Sequence, residues 1–97
     1  MNKERRKAID SAKGLLEEAK AAIEHARGKI DDAKIAIEEA RDEEQEYKDN
    51  MPEAMQEGDK GNKADEAISE LENAIASLEN AETELDDATG SCENAVA

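Results

Sequence analysis

Isoleucine and alanine recur on a seven-residue repeat through the first half of the chain. Ile9, Leu16, Ile23, Ile30 and Ile37 form one line, and Ala12, Ala19, Ala26, Ala33 and Ala40 form a second line three places on. Residues three and four apart share one face of a helix, and a period of seven held for five repeats marks a coiled coil. With these lines as heptad positions a and d, the e positions are Lys13, Lys20, Arg27, Lys34, Arg41 and Lys48, and the b positions are Asp10, Glu17, Glu24, Asp31 and Glu38. Most of the bases therefore have acids three before and four after, a ladder that supports a solvated helix face. Proline is absent from this stretch, so the spacing predicts one long helix over about residues 3–48, roughly 70 Å at the usual rise.

The second half repeats the pattern. Leu71, Leu78, Leu85 and Cys92 lie on one line, with Ala67, Ala74, Ala81, Ala88 and Ala95 on the line three places on. Large residues alternate with alanine in both halves, and alanine layers let helix axes approach closely. The natural partner is an antiparallel helix within the same chain. Matching a to d places Ile9 opposite Ala95 in one register and Leu16 opposite Ala95 in another, and both are open. Large core formers are few, with seven Ile, five Leu and no Phe or Trp against eighteen Ala. A two-helix hairpin buries one stripe per helix, which is little core for 97 residues. Leu15, Ala22 and Ala36, with Ile35 behind them, and Ile68 and Ile75 in the second half are expected to widen those stripes. The expected fold class is an all-α antiparallel two-helix hairpin, an Ala-rich coiled coil with a short connector helix. It is expected to self-associate into a helical bundle, as a homo-oligomer of two or more hairpins.

Residues 49–59 break the repeat. Pro52 ends the long helix, and Asn50 as N-cap with Glu53 three residues on predicts a one- or two-turn helix over Met51 to Glu57, stopped by Gly58. Asp59 is the expected cap of a second helix over about residues 60–89, with residues 90–97 frayed after Gly90. The whole of 1–97 reads as a single domain.

Charge divides unevenly. Residues 1–48 carry eleven bases and thirteen acids, whereas residues 49–97 carry two bases and fourteen acids, within a net charge of −14. That balance excludes a basic nucleic-acid binder, so no direct nucleic-acid contact is expected. Glu70, Glu72, Glu79, Glu84, Asp86, Asp87 and Glu93 present carboxylates along the second helix. They read either as a solvated face or as a mimic of a phosphate backbone that occupies a basic groove on a target. A basic cluster, Lys3, Arg5, Arg6 and Lys7, stands at the amino end as an arm or as frayed charge. Near the connector, Arg41, Lys48, Lys60 and Lys63 gather around Tyr47 and Asn50, a set suited to a small anion such as a nucleotide. The alternative for Tyr47 is that it caps the seam against Met51 or Met55.

Catalytic and metal-binding patterns are missing from the sequence. His25 falls on an exposed c position with no orienting partner, the serines have no histidine, and the 57–63 loop is neither a phosphate-binding loop nor an EF-hand. Cys92 reads as a small core residue without a disulfide partner. The expectation is a protein with no enzymatic activity, no cofactor and no metal. No apolar run is long enough for a membrane span and the start is polar, which points to a cytoplasmic protein without membrane association.

The stretch Arg41-Asp42-Glu43-Glu44-Gln45-Glu46-Tyr47-Lys48-Asp49-Asn50-Met51-Pro52-Glu53-Ala54-Met55-Gln56, followed by Gly58, Lys60, Gly61 and the Ala64/Ala67/Ile68/Leu71 helix, resembles small bacteriophage-encoded acidic proteins. Those share a Glu-Glu-Gln-x-x-x-Asp-Asn-Met/Leu-Pro-Glu core and a basic-Gly pair opening an acidic helix. The match spans about residues 36–88, and the regular Ile/Ala repeat upstream departs from it. The resemblance implies a viral accessory protein in the bacterial cytoplasm, and it implies no particular activity. The leading expectation is an inhibitor or decoy of a bacterial host protein, its defence proteins included, acting through the acidic helix or the connector. The alternatives are an oligomeric sponge for a nucleotide immune signal and an architectural coiled-coil component of a virion or its assembly.

Overall fold

The computed structural model describes residues 2–96, with Val96 described by its backbone only. Three helices follow in order: α1 (Lys3–Asp49), α2 (Glu53–Gln56) and α3 (Asp59–Val96), with no strand among the described residues. The chain is an all-α helical hairpin in which α3 runs back along α1. Asn2 caps α1, its Oδ1 accepting the Arg5 backbone N–H at 2.8 Å and so satisfying one of the donors that a helix start leaves open.

The hairpin divides into two compact units. One holds the residues up to 30 and those from 81 onward, and the other holds residues 31–80. In the connector unit the core consists of Met51, Ala64, Ile68 and Ile75, with Gly61 also buried and Ile37, Leu71, Ala74 and Leu78 half-buried around them. In the terminal unit no described residue is fully buried. Ile9, Leu16, Ile23, Ala26 and Ile30 of α1 and Ala81, Leu85, Thr89 and Cys92 of α3 are half-buried.

This burial moves the seam away from the a/d faces that the repeat predicts. On α1 the half-buried positions are the a line, Ala26 and Glu38, and the e-line residues Lys20, Lys34, Arg41 and Lys48 that flank the seam, while Lys13 and Arg27 of the e line and Ala12, Ala19, Ala33 and Ala40 of the d line are exposed. On α3, Ile68 and Ile75 are central to the seam where a supporting place beside it is expected, and Ala88 and Ala95 are exposed. The reason lies in side-chain size. The large residues of α3, Ile68, Leu71, Ile75 and Leu78, occupy a stripe of steps three and four, and burying one isoleucine is worth about 1.5–3 kcal/mol, far more than an alanine methyl contributes. Turning that stripe inward brings the b line of α3, which is acidic, beside the e line of α1, which is basic. The aliphatic stems of those lysines and arginines then cover the seam edge. Leu15, Ala22, Ile35 and Ala36, expected to widen the α1 stripe, are exposed, Leu15 by 68%.

The connector differs from its expected capping. The Asn50 N–H still bonds to the Glu46 carbonyl at 3.0 Å and Met51 N–H turns back to Lys48 at 3.0 Å, so Asn50 closes α1 rather than capping α2. Pro52 precedes α2 instead, with no side-chain cap, and its carbonyl accepts the Met55 and Gln56 N–H groups. A proline has no N–H to satisfy, which suits it to that end of a helix. Asp59 is the first residue of α3 rather than its cap; the Gly58 carbonyl receives the Asn62 N–H at 3.0 Å. Nor does α3 fray after Gly90, where it stays helical to Val96; residue 97 lies outside the described residues. The turn is held by Gln56, whose Nε2 donates to the Met51 carbonyl at 3.0 Å. Gly61, in the first turn of α3, lies so close beneath Gln56 that an added Cβ would stand 1.9 Å from the Gln56 carbonyl oxygen. Only glycine permits that approach.

Candidate functional site

Each unit places the basic line of α1 against the acidic line of α3. In the terminal unit Lys20 Nζ meets Glu93 Oε1 at 3.1 Å and Arg27 Nη1 meets Asp86 Oδ1 at 3.0 Å. In the connector unit Lys34 Nζ approaches Glu79 at 3.8 Å and Lys48 pairs with Asp65. Arg41, the base between these two, bonds its own neighbour Asp42 at 3.2 Å, and Glu72 has no ion pair among the described residues. From Lys20 to Arg27, seven residues forward on α1 is seven back on α3. This register lies two residues from the one that sets Leu16 against Ala95 and nine from the one that sets Ile9 there. Partly exposed pairs of this kind contribute about 0.2–1 kcal/mol each, so they specify register more than they hold the fold. At Lys20 the hydrogen bond to Glu93, then the Glu93 charge, with Glu17 and Glu24 adding, raises the ammonium pKa above its usual 10.5.

Of the acids expected to form a negative face, Glu79, Asp86 and Glu93 are therefore paired with bases across the hairpin, their side chains still more than half exposed. Glu70, Glu72, Glu84 and Asp87 are exposed and make no ion pair among the described residues. Glu66, which the sequence reading did not single out, belongs with them. Glu66 and Glu70 lie four apart on the outer side of α3 in the connector unit, and Glu84 and Asp87 lie three apart and exposed in the terminal unit. The signal separating the two groups is present in the sequence: Asp65, Glu72, Glu79, Asp86 and Glu93 keep the seven-residue step of the α1 bases.

The basic group around the connector is less unified than its sequence spacing suggests. Arg41 and Lys48 are taken up by Asp42 and Asp65, while Asn50, Lys60 and Lys63 are exposed. Tyr47 is 53% exposed on the d line, so it does not cap the seam; Met51 is buried there without it. No enclosed pocket and no metal-ligand cluster occurs among the described residues. Lys3, Arg5, Arg6 and Lys7 are exposed and make no ion pair among the described residues, His25 is exposed, and Cys92 is half-buried on the seam. No helix is long and apolar enough to cross a membrane among the described residues. Comparison with known protein families, known proteins and solved structures finds no match.

Proposed function

We propose that this protein is a non-enzymatic accessory protein of bacteriophage type that binds a bacterial host protein in the cytoplasm and blocks or decoys it with the acidic outer face of α3. The observation that carries this reading is the split among the α3 carboxylates. The bases of α1 engage Asp65, Glu79, Asp86 and Glu93, and they leave Glu66, Glu70, Glu84 and Asp87 exposed and without an ion pair among the described residues. Helical rise spaces the outer carboxylates by about 6 Å and 4.5 Å within each pair, of the same order as the charge spacing of about 3.4 Å along a nucleic-acid strand. A basic groove that accepts phosphates accepts either such pair, and its attraction is screened by salt.

Affinity capture from bacterial extract, with nucleic-acid competition, tests the reading. The wild type is expected to retain a basic protein that duplex DNA displaces. The variant Glu66→Gln/Glu70→Gln/Glu84→Gln/Asp87→Asn is expected to lose that protein while keeping its helical circular dichroism. Retention by the fourfold variant, or the absence of any DNA-displaceable partner, counts against it.

A further inference from the structure

The two helices of the terminal unit are not level at its outer end. Lys20 with Glu93 and Arg27 with Asp86 set a register in which seven residues forward on α1 are seven back on α3, so Val96, the last residue of α3, stands level with about Glu17. Residues 3–16 of α1 therefore run on past it, roughly 20 Å of helix at the usual rise with no described α3 residue alongside. Burial agrees with that geometry. From Lys3 to Ala19 only Ile9 and Leu16 are even half-buried, and Leu15 is 68% exposed.

This projecting segment carries the seam face onward. Ile9 and Leu16 continue the a line of Ile23 and Ile30, and Arg6 and Lys13 continue the e line of Lys20 and Arg27. Where α3 lies alongside, that face takes aliphatic side chains at its centre and carboxylates at its edge. Beyond Val96 it meets neither among the described residues. Lys3, Arg5, Arg6, Lys7 and Lys13 stand there with only two acids, Glu4 and Asp10, in a chain of net charge −14. None of these bases makes an ion pair among the described residues.

From these observations we infer that residues 3–16 dock an acidic amphipathic helix of a partner protein, antiparallel to α1 and in line with α3. Aliphatic residues of that helix, at steps of three and four, cover Ile9 and Leu16, and carboxylates seven apart on its edge meet Arg6 and Lys13. Continuity is the first reason for this occupant. In both units the same face of α1 is already answered by an acidic helix of that spacing, through Asp65, Glu79, Asp86 and Glu93. The second is the pairing of charge with an apolar stripe. A nucleic acid meets the bases but brings nothing aliphatic to Ile9 and Leu16, and α3 of a second copy has its own stripe turned onto its own α1. The surface is separate from the outer carboxylates of α3, so either reading can fail without the other.

Isothermal titration of the full chain with a synthetic peptide of residues 69–82 tests this. That stretch carries Leu71, Ile75 and Leu78, with Glu72 and Glu79 seven apart, and it matches residues 3–16 in length. One peptide is expected to bind per chain. Arg6→Gln/Lys13→Gln is expected to weaken binding about tenfold, the worth of two partly exposed ion pairs. Ile9→Ala is expected to weaken it by about tenfold through lost apolar contact. Lys3→Gln/Lys7→Gln removes the same charge from positions about 100° or more around the helix from the a/e face, and is expected to bind within about twofold of the wild type. Carbodiimide is expected to join the peptide to Lys13. Absence of binding, unchanged affinity in Arg6→Gln/Lys13→Gln or in Ile9→Ala, or an equal loss in Lys3→Gln/Lys7→Gln overturns the proposal. So do cross-links at Lys34, which meets Glu79 within the chain, in place of Lys13.

Discussion

Glycine to alanine substitutions at three positions of this hairpin should change stability with opposite signs. Gly14 and Gly28 sit in α1 with nothing within 4 Å of an added Cβ, so alanine there gains the helix-propensity difference of about 1 kcal/mol per site and meets no obstacle. At Gly61 the same gain is opposed by backbone. The new Cβ would stand 1.9 Å from the Gln56 carbonyl oxygen, 2.4 Å from its carbon and 2.7 Å from its Cα, all well inside the 3.0 Å that real Cβ contacts essentially never cross. The connector must withdraw by about 1 Å, a strain of overpacking type that costs about 1–3 kcal/mol. That movement also carries Gln56 away from the Met51 carbonyl, a further loss of about 1 kcal/mol. Near the upper end of that strain the net destabilisation is about 3 kcal/mol, or a fall in Tm of about 10–20 °C for a domain of this size. Thermal unfolding by circular dichroism, run at one fixed protein concentration because any association shifts Tm, measures all three variants. Gly14→Ala and Gly28→Ala should each raise Tm by several degrees. If Gly61→Ala unfolds at or above the wild-type temperature, the close approach of α3 to the connector is refuted.

The shifted seam gives a second contrast. Ile68→Ala and Ile75→Ala should each destabilise by about 2 kcal/mol or more, whereas Ile35→Ala, at 55% exposure, should stay within about 0.5 kcal/mol in urea titration. The terminal unit, in which no described residue is fully buried, should exchange its backbone amides faster than the connector unit in hydrogen-exchange mass spectrometry of dilute protein; equal protection in the two would contradict the burial pattern. Lys20 gives a pH dependence of known sign. Its pKa is raised in the folded chain, so its contribution is complete below the ordinary lysine value of 10.5 and is lost as pH rises through the higher folded value. The Tm difference between the wild type and Glu93→Gln should therefore be constant at neutral pH and shrink above pH 10.5; a difference that grows there would show the wrong partner for Lys20.

Much of this architecture is legible in the order of residues. The five-fold Ile/Ala repeat and the single proline fix two long helices and a turn, because helix periodicity and the missing proline N–H act locally. The choice of seam is not local. An a/d reading follows from α1 alone, and it takes the stripe of Ile68, Leu71, Ile75 and Leu78 on α3, set against the basic e line, to turn both helices toward e. That same rotation explains why Tyr47, Ala12, Ala19, Ala33 and Ala40 face solvent, and why Glu79, Asp86 and Glu93 are paired with bases of the same chain. The heptad-spaced acids of α3 carried that information, since only a partner strand of bases at the same period gives them a purpose inside the chain. The connector was less legible, because Gly61 is set by a backbone approach to Gln56 that no local propensity encodes.

The account rests on the antiparallel register in which α1 bases pair with one line of α3 acids. Zero-length carbodiimide cross-linking with mass-spectrometric mapping reads it directly, because only a lysine and a carboxylate in contact are joined. Within single chains the expected links are Lys20 to Glu93, Lys34 to Glu79 and Lys48 to Asp65. Intrachain links displaced along α3, such as Lys20 to Glu84 or Lys34 to Glu70, would contradict the register and with it the division between the acids paired across the hairpin and those left without a base.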